Sequence, residues 1–331
     1  MSLQADTRRS PASHSGAGSG TPPVRRPRSG RIWLSRMDIK ASPYLYVAPF
    51  FILFGIFGLF PLIYTAWVSV HNWEILGPPP SLTGLENYTE LLKDDRFWNS
   101  VRNTFGMFFL ATIPQLLGAL WLANLLNRQM RARTFFRMAI VVPGITSLAA
   151  VAIVFNHFYA RDYGIVNYML NGIGVDSIDW RAGRWPSWIA ISTIVDWRWL
   201  GYNALIYLAA MQAIPKDLYE SAALDGASHW RQFWSITVPM LRPTIIFTVI
   251  ISTIGGLQLF TEPLMFGNRV EGGALREFQT VTMYLYEMGF VRYELGYAAA
   301  IAWVLFLMIL VFGAINYLIV RRLAAGSKEV R

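Results

Sequence analysis

The sequence predicts an all-α, polytopic membrane protein, and its composition and apolar runs carry that prediction. Of 331 residues, 54% are hydrophobic and only 15% are charged, far from an average soluble domain. A helix needs roughly 20 residues to cross a hydrocarbon core of about 30 Å. Runs of this length lie at about 44–70, 103–126, 135–158, 187–212, 242–262 and 296–320. Ten-residue blocks of alternating hydrophobicity are missing, which favours helices over a closed barrel.

The segments before and after these six predicted spans differ from them in composition. Residues 1–40 are rich in Ser, Gly, Pro and Arg and predict a disordered basic tail, because they have too little apolar surface to fold. The first apolar run is too long for a signal-peptide core, so it is predicted to stay as the first span. Residues 41–322 then form the six-helix transmembrane domain, and residues 323–331 form a short second tail.

The distribution of Lys and Arg predicts the orientation. The two tails and the connection between spans two and three are basic, whereas the loops 72–100 and 263–295 carry more acid than base. By the positive-inside rule, both termini are cytoplasmic, and so is the segment that joins spans four and five. Topology therefore accounts for the formal charge of +9, and no nucleic-acid partner is expected.

Motifs for chemistry are missing from the sequence. There is no cysteine, the four histidines are isolated, and no nucleotide-binding, hydrolase or zinc-protease pattern occurs. We therefore expect no enzyme, no metal and no cofactor bound by this chain. Energy for transport would come from another chain or from an ion gradient. An ion-coupled secondary carrier is the main alternative, but only Asp196 and Glu262 come close to the intramembrane carboxylates that it would need.

The segment from Ile214 to Pro243 is a long polar and amphipathic insert between two apolar runs. Pro215 and the acidic residues after it predict a helix over about 216–225, with Gly226 as a left-handed cap. Ser228 is expected to cap a second helix, which Pro239 ends. Its apolar stripe comprises Trp230, Phe233, Trp234, Thr237 and Val238. Periodicity alone favours a membrane-surface hairpin and leaves a protein contact open.

The residues of this insert resemble the cytoplasmic EAA loop of ABC-type importer permeases, whose pattern is roughly EAAxxDGAxxxxxFxxIxLPxxxP. Ser221 replaces the usual first alanine and Val238 the usual leucine, and both changes are small. The resemblance covers about 45–322 and is strongest to carbohydrate permeases of the maltose and glycerol-phosphate type. The matching positions are Glu220, Ala222, Ala223, Asp225, Gly226, Ala227, Phe233, Ile236, Pro239 and Pro243.

This resemblance implies a role and a set of partners. The loop would form the coupling helices that seat on a separate ATP-binding subunit, with Gly226 as the turn and with Glu220 and Asp225 as polar contacts or caps. ATP and magnesium would bind to two such partner subunits and not to this chain. A second permease subunit and an extracellular solute-binding protein would complete the importer, in a bacterial plasma membrane.

Polar and aromatic residues in the spans are expected to line the path of the substrate. Charge inside a membrane is costly unless it faces a polar interior, and sugars are bound by aromatic faces together with amide and carboxylate groups. Each of these residues is equally well explained by contacts with neighbouring helices. The predicted path residues are Asn156, Tyr159, Asp196, Arg198, Asn203, Gln258, Phe260 and Glu262.

The outer loop from Gly267 to Thr280 departs from the GGGP-like loop of many relatives, so the exact sugar does not follow from the resemblance. A di- or oligosaccharide, such as a cello-oligosaccharide, is the preferred substrate. A membrane enzyme, a channel and a structural scaffold remain as further alternatives. A neighbouring gene for a nucleotide-binding ATPase would favour the importer over all of them.

Overall fold

The computed structural model describes residues 29–128 and 131–325 of the protein, and it describes side chains over residues 42–128 and 131–318. Within these residues the fold is helical, as predicted. One short hairpin interrupts it, in which His71–Asn72 (β1) pairs antiparallel with Ser81–Leu82 (β2). The α-helices are α1 Ser29–Phe54, α2 Phe60–Ser69, α3 Glu86–Lys93, α4 Asp95–Asn127, α5 Arg133–Ala139, α6 Val142–Ile145, α7 Leu148–Phe158, α8 Ile165–Gly172, α9 Arg184–Gln212, α10 Lys216–Leu224, α11 His229–Gln232, α12 Val238–Met240, α13 Arg242–Leu257, α14 Thr261–Gly267, α15 Val281–Tyr286 and α16 Leu295–Ala325.

Three short π-helical stretches are also described, namely Gly55–Leu59, Phe233–Thr237 and Glu287–Val291. The chain divides into two compact units, one that ends at Pro61 and one that begins at Leu62. Residues 1–28, the main part of the predicted tail, lie outside the described residues, as do residues 326–331.

Both ends of the described chain are more helical than expected. Helix α1 begins at Ser29, within the 1–40 segment predicted to be a disordered tail. Residues 31–40 contain neither Gly nor Pro, so nothing in them breaks a helix that extends from the first span. Helix α16 likewise continues to Ala325, into the predicted second tail.

Three helices are long and apolar enough to cross a membrane, and they coincide with predicted spans one, two and six. They are Ser42–Ser69, Asp95–Asn127 and Leu295–Leu318. Helix α9 corresponds to span four and has 29 residues. Two pairs of helices are bent, namely Arg133–Ile145 with Leu148–Phe158 and His229–Met240 with Arg242–Leu257, and counting each pair as one span gives up to five apolar spans in the described chain.

Predicted spans three and five are not continuous helices. The segment Arg133–Ile145 meets Leu148–Phe158 at 93°, because Thr146 and Ser147 between them have extended ψ angles that end one helix before the next begins. Span five, expected over 242–262, ends as α13 at Leu257, and after three intervening residues the chain enters the separate helix α14. Hydropathy reports only how apolar a segment is, so both runs looked like single spans.

Helices α4 and α9 form the centre of the second unit. Their interface contains small side chains that are fully buried, including Ala119, Ala123 and Ala204. In lipid, where apolar surface gains little from leaving the solvent, small residues stabilise helix pairs by letting the backbones approach. Gly106 serves the same purpose, since a Cβ there would lie 2.1 Å from the Trp188 ring.

The broken span packs on the other side of α9. Gly201 allows this contact, because a Cβ at that position would lie 1.7 Å from the carbonyl oxygen of Ile140. The bent segment is therefore held against α9 by direct approach of two backbones.

Candidate functional site

A cavity of about 410 Å³ lies between α4, α9 and the junction of α13 with α14. Five of the eight predicted path residues line it: Arg198, Asn203, Gln258, Phe260 and Glu262. The structure thus brings together residues that are up to 64 positions apart in the chain. The wall also contains apolar and aromatic groups, so polar hydrogen-bonding groups and ring surfaces face the same space.

The break in span five produces this arrangement. Gln258 follows the last residue of α13, and Glu262 lies in the first turn of α14. Gly256, the next-to-last residue of α13, lets this helix approach α4, since a Cβ there would lie 2.7 Å from the Phe108 ring. A continuous helix would spread these side chains around its circumference, whereas the break directs Gln258, Phe260 and Glu262 to one cavity.

Arg198 and Glu262 form an ion pair in the cavity wall. Arg198 Nη1 donates to Glu262 Oε1 at 2.6 Å, and the two side chains are only 14% and 8% exposed. Two opposite charges that are buried together satisfy one another and avoid the cost of a lone buried charge. They are the only Asp, Glu, Lys or Arg side chains among the described residues that line this cavity, so its wall carries no net charge.

The other three predicted path residues lie elsewhere. Asn156 donates to the Met265 carbonyl at 3.2 Å, which ties α7 to α14, and the Tyr159 hydroxyl lies 2.5 Å from Thr193 Oγ1 in α9. Asp196 is half-buried, and its Oδ1 has no hydrogen-bond partner within the described part of the chain. Contacts with neighbouring helices therefore account for Asn156 and Tyr159.

The cavity also contains residues that the sequence analysis did not select. Gln115 and Thr112 contribute from α4, and Trp199 and Tyr202 contribute from α9. An amide in the middle of an apolar run is a usable signal for Gln115. Nothing in the sequence marks Tyr202, because its position at the cavity depends on how α9 is rotated.

The segment 214–243 forms the predicted helix, turn and helix. Helix α10 ends in a Schellman motif: Ala227 N–H donates to the Ala222 carbonyl at 2.9 Å, and Gly226 N–H donates to Ala223 at 3.0 Å. Gly226 has a φ of +78°, as the left-handed cap requires. Ala222, Ala223 and Ala227 thus form the backbone hydrogen bonds of the turn with Gly226, which also provides its left-handed conformation.

The cap of the second helix also agrees with the prediction, since Ser228 Oγ accepts from Arg231 N–H. Pro215, predicted to be the first helical residue, instead precedes α10 as its N-cap, with extended ψ. Pro239 does not end the second helix. The π-helical stretch Phe233–Thr237 precedes it and widens the turn, so the missing N–H of Pro239 is tolerated and the chain continues to Met240.

Only part of the predicted apolar stripe packs on the bundle. Phe233 and Thr237 are buried, whereas Trp230 and Trp234 are 69% and 49% exposed. Helix α10 has no buried residue, and Leu224 beside the turn is 90% exposed. Glu220, Ala223, Asp225 and Gly226 are exposed as well. The loop therefore presents a helix, a turn and two tryptophans on the surface.

At the opposite end of α4, the loop 267–280 is closely packed. Arg276 bonds Glu287 through two nitrogens, at 2.5 and 2.9 Å, and Gln279 donates to the same carboxylate at 2.7 Å. Burial alone would raise the pKa of Glu287, but hydrogen bonds from Arg276 and Gln279 outweigh it and lower the pKa to about 2. Asn103 in α4 donates to the Arg276 carbonyl, which anchors the loop.

One known protein family matches most of this chain. Residues 115–325 match the family described as binding-protein-dependent transport system inner membrane component. The chain belongs to this family. As an inner membrane component, it is a membrane-embedded subunit of a transport system, and the match includes α9, the loop 214–243 and most of the cavity wall.

Curated relatives of this inner membrane component match nearly the whole chain. The lactose transport system permease protein of Rhizobium radiobacter is 35% identical over 86% of this chain and 96% of its own length. The arabinooligosaccharides transport system permease protein of Halalkalibacterium halodurans is 32% identical over 86% of this chain and 89% of its own.

The fold of the permease also agrees with a solved structure. A chain of a bacterial ABC transporter involved in the import of the acidic polysaccharide alginate superposes with a TM-score of 0.72. The two sequences are 24% identical, and the match covers 88% of this chain and 99% of the other.

Proposed function

We propose that this chain is the membrane-spanning permease subunit of an ATP-driven sugar importer, and that the cavity beside α9 is part of the sugar path. Membership of the binding-protein-dependent family carries the proposal, supported by the sugars in the names of its relatives. The cavity volume falls within the range of about 300–1,000 Å³ that is typical of small-molecule sites.

The substrate is a neutral di- or oligosaccharide. Arg198 and Glu262 cancel each other's charge, so no free cation is left in the wall to bind a uronate. Gln115, Asn203 and Gln258 offer amides to sugar hydroxyls, while Trp199, Tyr202 and Phe260 offer ring faces to sugar C–H groups. This neutrality distinguishes the proposed substrate from the acidic polysaccharide of the alginate transporter.

The loop 214–243 is the surface that receives an ATP-binding subunit. No residue of its helix α10 is buried, and the Schellman motif around Gly226 fixes the direction in which the chain leaves this helix. A surface turn between two helices, with Leu224 and Trp230 exposed beside acidic residues, is suited to a protein contact. In this scheme, the loop is cytoplasmic, both termini are cytoplasmic, and ATP with magnesium binds to two partner subunits. A second six-span permease and a solute-binding protein complete the assembly in a bacterial plasma membrane.

The test is reconstitution of the complete transporter in liposomes. With ATPase subunits, the second permease and the solute-binding protein, labelled neutral oligosaccharide should accumulate only when ATP and magnesium are supplied on the loop side. A uronic-acid oligosaccharide of equal length is the matched control and should not accumulate. Uptake by this chain alone, driven by a proton or sodium gradient, would replace the importer with the ion-coupled carrier.

A further inference from the structure

Helix α5 contains two arginines that share one neighbour. Arg133 and Arg137 are four residues apart, so they lie on the same face of the helix. When the Gln212 amide is oriented with its oxygen toward them, it accepts hydrogen bonds from Nη2 of Arg133 at 2.8 Å and from Nη2 of Arg137. Two guanidinium groups are thereby held side by side at the end of α9.

No carboxylate balances these two charges within the described side chains. Neither arginine belongs to any of the four ion pairs found there, and the Nε atom of each is buried without a hydrogen-bond partner. Both residues are half-buried. Because the shared Gln212 amide is neutral, the pair keeps a double positive charge, which suits an anion.

The position of the pair is the boundary between the apolar bundle and the loop 214–243. Ile140, just after α5, contacts Gly201, and Gln212 lies eleven residues further along α9, or about 16 Å. The chain after α5 therefore reaches the middle of α9, while the two arginine side chains reach the end of α9. Its other side chains include Phe135, Phe136 and Met138, which are 63%, 43% and 59% exposed. Apolar groups beside cations at a helix end are typical of the lipid headgroup region.

We propose that Arg133, Arg137 and Gln212 form a site for the phosphate of an anionic phospholipid, in the leaflet on the side of the loop 214–243. Two guanidinium forks can bond phosphate oxygens from adjacent positions while the exposed phenylalanines contact the acyl chains. Basic pockets between membrane helices bind lipid headgroups in this way. The site does not depend on the identity of the transported sugar.

The test uses the full chain in nanodiscs with photoactivatable phosphatidylglycerol or photoactivatable phosphatidylcholine, and measures labelling of residues 131–145 by mass spectrometry. We expect phosphatidylglycerol to label this segment more strongly. Each basic side chain near an anionic surface is worth about fivefold in affinity. The variant R133Q/R137Q should therefore lose at least about fivefold of the preference, and R133K/R137K, which keeps charge without the fork, should lose less.

The variant R161Q/R181Q is the matched control, because it removes two positive charges from another part of the chain and should leave the preference unchanged. Exchange of chloride for inorganic phosphate at constant ionic strength separates the two sources of phosphate. Labelling that persists in phosphate supports a lipid ligand, and labelling that disappears assigns the site to a soluble anion instead. Equal labelling by the two lipids would overturn the proposal. The two arginines would then be expected to bind a carboxylate of a partner protein instead.

Discussion

Gly226 is the residue whose backbone conformation matters most for the exposed loop. A Cβ at this position would meet no atom within 4 Å, so space is not what requires glycine. The requirement is the φ of +78°, which costs an L-residue roughly 1–2 kcal/mol and costs a β-branched residue more. Substitutions at Gly226 therefore test the turn without disturbing any packing.

We expect Gly226→Val to insert in the membrane but to lose most of the sugar-stimulated ATPase activity of the assembled transporter, because α10 can no longer end in its Schellman motif. Gly226→Asn is the matched control and should keep most of the activity, since asparagine tolerates the left-handed region. Normal transport by the valine variant would exclude the coupling role of the turn.

Arg198 and Glu262 allow a second test at the scale of single residues. Removing one member of a buried ion pair typically costs about 3–5 kcal/mol, because it leaves the other charge unpaired. Arg198→Gln and Glu262→Gln should each lower the melting temperature of the purified protein and reduce uptake. The double variant should recover part of the lost stability, because it contains no unpaired charge.

Arg161 provides the reference for that test. It approaches Asp179 at 3.7 Å, with side chains 62% and 38% exposed, and such surface pairs are worth about 0–1 kcal/mol. Arg161→Gln should hardly change the melting temperature. A similar small effect for Arg198→Gln would show that the cavity pair is solvated, contrary to its burial.

At the scale of elements, the apolar runs predicted where helices lie but not where they break. Spans one, two and six agree with the structure, in which each is one long helical segment. Span three contains Pro143 and Gly144, which are visible in the sequence, yet proline also occurs inside the continuous helix α4 at Pro114. Whether a proline bends a helix depends on which neighbours satisfy the freed backbone groups, and that information is not local.

The site followed the same pattern. Arg198, Asn203, Gln258 and Glu262 could be selected because polar groups in apolar runs need a reason to be there, and Phe260 because an aromatic ring can cover a sugar; all five line the cavity. Asn156 and Tyr159 met the same criterion, yet they bond neighbouring helices. Residue type cannot separate these two uses, because a carbonyl of α14 and a sugar hydroxyl require the same donor.

The loop 267–280 is an element whose stability should depend on pH, because Arg276 and Gln279 within it bond the Glu287 carboxylate. The pKa of Glu287 is about 2 in the folded protein, against an ordinary value of 4.5. The lowered pKa gives stability that is fully present above pH 4.5 and is lost as the pH falls from 4.5 towards 2, by roughly 3 kcal/mol in total.

Melting temperatures of the purified protein between pH 7 and pH 3 measure this effect. Glu287→Gln should melt at a lower temperature than the natural protein at pH 7, because Arg276 loses its ionic partner, and the gap should narrow towards pH 3. Glu90→Gln, at an exposed position, is the control and should follow the natural protein throughout. If the difference in melting temperature between Glu287→Gln and the natural protein stayed constant from pH 7 to pH 3, another carboxylate would be responsible for the pH dependence.

At the scale of the whole molecule, the proposed topology places the loop 214–243 and the loop 267–280 on opposite sides of the membrane. The chain contains no cysteine, so single cysteines can be introduced without removing natural ones. We expect Ser228→Cys to react with a membrane-impermeant maleimide only in permeabilised cells, and Ala274→Cys to react in intact cells. Both positions are exposed. Labelling of both from the same side would contradict the topology.

The position of the bent segment depends on Gly201 having only a hydrogen atom as its side chain, because the Ile140 carbonyl lies directly against it. The smallest side chain at Gly201 would overlap that oxygen, at 1.7 Å, and could be accepted only if α5 and α6 moved away from α9. Both arginines of α5 would then separate from Gln212, and Gly144 would withdraw from the backbone of Arg198. Alanine at this position would thus loosen both the arginine pair and the cavity wall in one movement, although it belongs to neither.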